Sequence, residues 1–178
     1  MNKIEKIKKV GATRTLKLLK DRIISPLVEP YCRNRWERLA KKKEYVGINT
    51  PERKIPIIVS LTTFPARIEN VHWVVKTLLV QSLKPDKIIL WLAIEQFPNK
   101  ENDLPDSLLK LQRYGLTISW CNDIRSYKKL IPTIKEYPNS YIITADDDIF
   151  YHPKMIERLF RAYKRDPLNI HCHRVTKF

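Results

Sequence analysis

Short β-branched runs that alternate with helical patterns constrain the fold of this chain more than any other feature. The runs of strand length cover residues 55–61, 87–92, 116–121 and 141–145. Amphipathic or helix-like stretches follow them at 71–79, 104–114 and 132–137, and a further helix opens at His152-Pro153. This alternation predicts an α/β fold with a mostly parallel open sheet and helices on both faces. Residues 170–176 have the pattern of a fifth strand that begins near the end of the sequence.

The size and composition of the chain exclude several other classes of protein. Its 178 residues are enough for one α/β domain and too few for two. Its 3 glycines lie too far apart for a dinucleotide-binding or Walker A loop. Its 3 cysteines include no close pair, which argues against a disulfide framework or a zinc ribbon. No apolar run approaches the ~18 residues of a membrane span, and no signal peptide is visible. We therefore expect a cytoplasmic protein with reduced cysteines.

Positive charge is concentrated in the first third of the chain. The net charge is +15, and residues 1–54 hold 16 Lys and Arg against 6 Asp and Glu. Apolar residues recur there at helical spacing among lysines: Ile4, Ile7, Val10, Leu16, Leu19, Ile23 and Leu27. We expect a basic, helical N-terminal segment over residues 1–54 and an α/β domain over 55–178. The helix either packs on the domain or lies on the anionic inner face of the cell membrane. Nucleic acid is not an expected partner, because no reading motif is recognisable.

Polar and charged residues follow the predicted strands, where ligands bind in open α/β sheets. Those after the four strands, together with Pro65, are Thr62, Thr63, Arg67, Glu95, Asp123, Arg125, Ser126, Lys128, Lys129, Asp146, Asp147 and Asp148. Groups of both signs at one edge suit a ligand that is anionic and also needs a metal. Lys128 and Lys129 either pair with phosphate oxygens or are solvated, and Asp123 either binds a nucleobase or caps a turn.

Three consecutive aspartates directly follow the apolar fourth strand. Their mutual repulsion is relieved by a divalent cation, and hard oxygen ligands suit Mg²⁺ or Mn²⁺. In an extended segment Asp146 and Asp148 point to one side and Asp147 points away. Asp146 and Asp148 are therefore the predicted metal ligands. The alternative is a solvated acidic turn before the next helix.

Three strings at these strand ends resemble a known family. They are IIVSLTTFPARI, NDIRSYKKLIPTIKEYP and IITADDDIFYHP, within residues 55–178. Together they are similar to the sugar-nucleotide-binding half of bacterial GT-A-fold glycosyltransferases. The most similar members are the family 2-like enzymes of capsule and other surface polysaccharide synthesis.

The resemblance implies metal-dependent sugar transfer. The donor would be a nucleoside-diphosphate sugar, UDP-sugars included, and the acceptor a hydroxyl of a saccharide or lipid-linked molecule. Asp148 would reach Mn²⁺ or Mg²⁺ directly, and Asp146 the ribose or a metal-bound water. The other donor-binding positions would be Thr62, Thr63 and Arg67 in the nucleotide pocket, Asp123 at the base, and Lys128 and Lys129 near the diphosphate.

The chain departs from the family pattern after the acidic triplet. Only 30 residues follow Asp148, whereas the acceptor half and the catalytic base of the family lie further along. Glu157 and Asp166 are not convincing bases. We therefore expect a donor-binding half, truncated at its C-terminus, with little activity alone. The alternatives are a nucleotide- or metal-binding module without transferase activity and a metal-dependent phosphohydrolase.

Overall fold

The computed structural model describes residues 28–173, and its centre is a sheet of four parallel strands. The strands are β1 (Ile57–Thr62), β2 (Lys87–Ala93), β3 (Leu116–Cys121) and β4 (Tyr141–Thr144). All four lie close to their predicted bounds: β1 and β2 are apolar runs buried between layers, whereas the edge strands β3 and β4 are only partly buried. The predicted α/β fold with a parallel sheet is confirmed.

The order of the strands across the sheet is β3-β2-β1-β4. The chain moves outward from β1 through β2 to β3, and then returns to the other side of β1. Parallel pairing sets Thr62 of β1 opposite Trp91 of β2, and Ser60 opposite Thr144 of β4. The direction of winding therefore changes between β1 and β4, and their carboxyl ends lie side by side.

Five helices accompany the sheet within the described residues. They are α1 (28–40), α2 (Ile68–Leu79), α3 (Asp106–Leu109), α4 (Ile131–Glu136) and α5 (Met155–Arg165). The helices predicted at 71–79, at 132–137 and after Pro153 are confirmed. None of the helices between residues 28 and 173 is long and apolar enough to cross a membrane.

Two predictions about elements are wrong. The continuous helix over 104–114 is instead α3 followed by a 3₁₀ turn, Gln112–Tyr114. Its buried residues Leu104, Leu108, Leu111 and Tyr114 are four and then three positions apart, a spacing that fits an α-helix as well as a 3₁₀ turn. Residues 170–173 are not in a strand, and the rest of the predicted fifth strand lies outside the described residues.

The two faces of the sheet are covered unequally. Alternate β1 residues Ile57, Val59 and Leu61 face the main core, which includes side chains of α1, α2, α3 and α5. The opposite face has a small cluster around Ile58, Ile89 and Trp91. There α4 packs through Thr133, whose hydroxyl lies 2.8 Å from the Ser60 hydroxyl and accepts a 2.8 Å hydrogen bond from the Trp91 indole.

The segment before β1 packs into the main core. Trp36 of α1 is buried and meets the Tyr114 ring edge-on, with centroids 4.8 Å apart. The Tyr45 hydroxyl donates a 2.7 Å hydrogen bond to the Leu79 carbonyl at the end of α2. Residues 28–48 therefore contribute to the same core as the sheet. The basic helical pattern of residues 4–27, and with it the predicted membrane contact, lies outside the described residues.

Candidate functional site

A cleft of about 540 Å³ opens at the carboxyl edge of the sheet. Thr62, Thr63, Phe64, Arg67, Gln96, Asp123, Arg125, Ser126, Lys128, Lys129, Asp146, Asp147 and Asp148 line it. The structure thus brings together the strand-end residues named in the sequence analysis, with the exception of Pro65 and Glu95, which do not line the cleft. The cleft lies where β1 and β4 adjoin, which is the usual ligand position in a doubly wound sheet.

The loop after β3 reaches the cleft because it turns back across the sheet. Its 3₁₀ turn, Arg125–Lys129, contacts both β1 and β2. This path brings Asp123, Lys128 and Lys129 from the outer strand towards the end of β4. Arg125 begins the turn with φ of 54°, a left-handed conformation that is strained for a residue with a side chain.

Asp147 points into the site, and the predicted alternation of the three aspartates is wrong. Its carboxylate accepts hydrogen bonds from the Thr63 hydroxyl and from Arg67 Nη1, both at 2.7 Å. Its side chain is only 10% exposed, whereas that of Asp148 is 54% exposed. The period of two fails because β4 ends at Thr144 and the two aspartates lie in a turn.

Two cations bind the segment of three aspartates at 146–148, which we call the acidic turn. Arg67 Nη1 also donates a 2.9 Å hydrogen bond to Asp148, and Lys129 Nζ donates to Asp146. The hydrogen bond to Asp147 is the main reason why the pKa of Arg67 is raised further above its usual range. Four basic and four acidic side chains line the cleft, so their formal charges cancel. A divalent cation together with a dianionic ligand would preserve that balance.

Asp123 is fixed by its neighbours in the second part of the cleft. Its Oδ1 accepts hydrogen bonds from Lys128 Nζ at 2.6 Å and from the Arg125 backbone N–H at 2.9 Å. Its Oδ2 accepts a 2.9 Å hydrogen bond from Gln96 Nε2. The Lys128 hydrogen bond and, after it, the Arg125 backbone hydrogen bond hold the pKa of Asp123 below its usual range. The Glu95 carboxylate accepts a 3.1 Å hydrogen bond from the Asp123 backbone N–H. Glu95 therefore holds Asp123 in place without lining the cleft itself.

A partly buried tyrosine, Tyr151, connects the acidic turn to α2. The Asp146 backbone N–H donates a 2.6 Å hydrogen bond to the Tyr151 hydroxyl. The Tyr151 backbone N–H in turn donates to the Thr77 hydroxyl at 3.2 Å. Burial raises the pKa of Tyr151 to about 12. The hydroxyl therefore keeps its proton at neutral pH, and the position of Asp146 depends on a residue outside the cleft.

Sequence reasoning missed Phe64, Gln96 and Tyr151. Phe64 follows Thr63, and Gln96 follows Glu95, so the rule that ligands bind at strand ends could have included both. Tyr151 gave no such signal, because its role depends on a turn that returns its hydroxyl to the Asp146 backbone. Thr62 lines the cleft, but its hydroxyl donates a 2.8 Å hydrogen bond to the Trp91 carbonyl. This hydrogen bond connects β1 to β2.

The donor set fits a metal ion that shares its coordination with a ligand. No three His, Cys, Asp or Glu side chains between residues 28 and 173 are grouped to hold a metal. Asp146 and Asp148 are, however, about half exposed at the cleft. Mg²⁺ is commonly bound by one or two carboxylates together with substrate phosphates and water. These residues therefore suit an ion that arrives with a phosphorylated ligand.

No protein-family model and no curated protein sequence matches the chain. The function is therefore argued from the cleft, whose cations suit phosphate oxygens and whose fixed carboxylate suits N–H donors.

Proposed function

We propose that this chain binds a nucleoside-diphosphate sugar with Mn²⁺ or Mg²⁺, as the donor-binding part of a glycosyltransferase. The observation that carries the proposal is the cleft between β1 and β4, where four carboxylates and four cations converge. The resemblance of the three strand-end strings to GT-A-fold enzymes supports the same reading. The process would be surface polysaccharide synthesis at the cytoplasmic face of the cell membrane.

The cations and Asp123 would hold opposite ends of the donor. Lys129 and Arg67 pair with the acidic turn at the carboxyl end of β4, and their N–H groups are available to diphosphate oxygens. Asp123 would accept an N–H of the nucleobase. The Lys128 hydrogen bond favours its ionised carboxylate, and the Gln96 hydrogen bond orients it. Thr62 and Thr63 line the same cleft and would contact the donor there.

Asp146 and Asp148 would hold the divalent ion. When bound, the ion neutralises negative charge on the diphosphate leaving group. Asp147 has a different role in this proposal: it fixes Arg67 and Thr63 behind the other two aspartates.

A second candidate, a nucleotide-binding module without transferase activity, is favoured by the pairing of the cleft carboxylates. Each carboxylate lining the cleft in the described part of the chain contacts a Lys or Arg. Glu157 on α5 is outside the cleft and binds Ser82 and Arg161. Transfer to a hydroxyl needs a positioned general base, typically worth 10²–10⁴-fold in rate. We therefore expect donor binding with slow hydrolysis and little or no transfer to a saccharide or lipid-linked acceptor.

Calorimetry with a nucleoside diphosphate tests the binding proposal. We expect binding that requires Mn²⁺ or Mg²⁺ and that weakens at least about tenfold in Asp148→Asn, since that change removes a metal ligand. Asp106→Asn is the matched control, because its carboxylate is exposed and belongs to α3. Binding that persists undiminished in a chelator would overturn the metal assignment.

A transfer assay separates the two candidates. The purified chain is incubated with a panel of sugar nucleotides, Mn²⁺ and lipid extract, and nucleotide release and sugar incorporation are followed. Robust incorporation that is lost in Asp148→Asn would show that the chain is a complete transferase.

A further inference from the structure

Arg125 differs from the other basic side chains that line the cleft between β1 and β4. Three of the four form ion pairs with the carboxylates of the cleft, and they are Arg67, Lys128 and Lys129. The Arg125 guanidinium forms no ion pair with a carboxylate of residues 28–173. An anion that binds Arg125 therefore displaces no carboxylate of the protein, whereas an anion at the other three cations must compete with one.

The carboxylates closest to Arg125 along this edge of the sheet already accept hydrogen bonds from other donors. Asp123 lies two positions before it, and Asp123 Oδ1 accepts from Lys128 Nζ and from the Arg125 backbone N–H. Asp123 Oδ2 accepts from Gln96 Nε2. Glu95 accepts the Asp123 backbone N–H and does not line the cleft. The Arg125 backbone therefore binds Asp123, while the Arg125 side chain is exposed at the cleft.

The backbone of Arg125 has a conformation that favours glycine. Its φ is 54°, and Lys100, with φ of 52°, is the only other residue with a side chain at positive φ in the described part of the chain. Glycine adopts this conformation freely, whereas a residue with a Cβ is strained in it. Lys100 lies outside the cleft, whereas the strain at Arg125 coincides with it. An arginine at this position therefore indicates that its side chain has a use that offsets the strain.

The donors at the start of the 3₁₀ turn Arg125–Lys129 suit a phosphate group. Arginine presents five N–H donors in a planar fork that matches two oxygens of a phosphate. Ser126, the next residue, also lines the cleft and is exposed, so its hydroxyl can donate to the same anion. The turn that carries both residues contacts β1 and β2. The two donors therefore lie side by side on backbone that packs against the sheet.

The charges of the cleft also leave Arg125 for the ligand. A divalent ion on Asp146 and Asp148 would neutralise those two carboxylates, and the other two carboxylates of the cleft keep their own basic partners. Lys129 and Arg125 are then the two basic side chains without an internal carboxylate. Their two positive charges match the two negative charges of a diphosphate.

We propose that Arg125 binds a phosphate group of the ligand and makes the cleft specific for phosphorylated ligands. The sequence analysis placed Lys128 near the diphosphate, but the Lys128 side chain is only 4% exposed in its pair with Asp123. Arg125 takes that role instead. The assignment of the phosphate to a nucleoside diphosphate rests on the proposed function, whereas the contact between Arg125 and a phosphate does not.

Calorimetry of the full chain with inorganic pyrophosphate, in chelator and with Mn²⁺, tests the contact. We expect the dissociation constant to rise about tenfold or more in Arg125→Gln under both conditions, because hydrogen bonds to a charged group are lost. Lys100→Gln is the matched control, because Lys100 is basic, exposed and at positive φ but lies outside the cleft. It should leave the dissociation constant unchanged. Wild-type protein that binds no pyrophosphate, or equal binding by Arg125→Gln, would overturn the proposal.

Arg125→Gly separates the contact with the ligand from any role in the fold. It removes the guanidinium and the backbone strain together, so we expect the midpoint of urea unfolding to stay the same or rise. The affinity for pyrophosphate should nevertheless fall as it does in Arg125→Gln. Lys100→Gly should change the midpoint in the same direction and leave the affinity unchanged. Wild-type affinity in Arg125→Gly would show that the side chain does not contact the anion and would overturn the proposal.

The outcome is separable from that of the proposed function. Pyrophosphate binding that depends on Arg125 but gains nothing from Mn²⁺ or from the nucleoside of UDP or GDP would reject only the donor site. Metal-dependent binding of UDP or GDP that Arg125→Gln leaves intact would reject only the role of Arg125. Arg125→Gln that weakens binding of uridine or guanosine and leaves pyrophosphate binding unchanged would place the guanidinium on the nucleobase, which also overturns the proposal.

Discussion

Asp123 receives more hydrogen bonds than any other carboxylate lining the cleft in the described residues. Its partners are the Lys128 ammonium, the Arg125 backbone N–H and the Gln96 amide. All three donate, and the hydrogen bonds from Lys128 and then Arg125 hold the pKa of Asp123 below its usual range because they favour the ionised form. Asp123, which we propose binds the nucleobase, is therefore preorganised as a hydrogen-bond acceptor before any ligand arrives.

The lowered pKa predicts how stability depends on pH. Asp123 contributes stability that is fully present above about pH 4, the usual pKa of an aspartate. That contribution is lost as the pH falls through the lowered value in the folded protein. We therefore expect Asp123→Asn to reduce the free energy of unfolding at pH 7, and the difference from wild type to shrink towards zero below about pH 4. Denaturant titrations across this range measure it.

Lys128→Met is the control for this pH dependence, because it removes the largest cause of the lowered pKa. It should reproduce the trend, and the double variant should add little to it. A difference between Asp123→Asn and wild type that stays constant from pH 7 to pH 3 would contradict the assignment.

The membership of the site was predictable at the residue scale, but the orientation of its side chains was not. Residues after parallel strands must meet at one edge of the sheet, and this was enough to place Thr63, Arg67 and Asp147 together. The direction of Asp147 was not predictable from alternation, because the period of two ends with β4 at Thr144. Beyond that point tertiary hydrogen bonds to Thr63 and Arg67 decide the orientation.

The strands were more predictable than the connection before β3. In β1 and β2 almost every residue is apolar or β-branched and buried, so burial and local preference agree. Between Leu104 and Tyr114, by contrast, the apolar spacing is ambiguous between an α-helix and a 3₁₀ turn. Packing of Leu108, Leu111 and Tyr114 into the core decides in favour of α3 followed by the turn.

Gly115 ends that connection in a way that only glycine adopts without strain. Its φ is 111°, and its N–H donates to the Gln112 carbonyl at 2.9 Å directly before β3 begins. A Cβ at this position would lie 2.7 Å from Ile48 Cγ2. We expect Gly115→Ala to lower the free energy of unfolding by about 1–3 kcal/mol, measured by denaturant titration.

Ile48→Ala separates the two causes of that loss. It removes the Ile48 carbons nearest to the added Cβ, so Gly115→Ala should cost less in its background, while the cost of the positive φ remains. An unchanged stability in the single variant Gly115→Ala would show that the chain relaxes into another turn at this point.

At the scale of the whole molecule, the parallel α/β sheet was predictable, whereas the order of its strands and the extent of the core were not. A parallel sheet follows from the alternation of strands and helices, but the alternation alone does not place β4 beside β1. The predicted domain boundary at residue 54 was based on the change in charge. The many basic residues of α1 made its buried face hard to recognise in the sequence. Cys32 and Trp36, four positions apart, are buried there. Four residues is the spacing of one helix face, but two positions among many lysines and arginines make a weak pattern.

The packing of α1 predicts that it stabilises the α/β domain. Trp36 is 9% exposed and contacts Tyr114 near the end of the connection to β3. Truncation of a buried Trp leaves a large cavity, so we expect Trp36→Ala to lower the free energy of unfolding by about 3–5 kcal/mol. Tyr31→Ala on the same helix is the control, because its ring is 50% exposed, and its effect should stay within about 0.5 kcal/mol. Urea unfolding monitored by circular dichroism measures both variants in one cooperative transition. Equally small losses of unfolding free energy in the two variants would show that α1 does not contribute to the core.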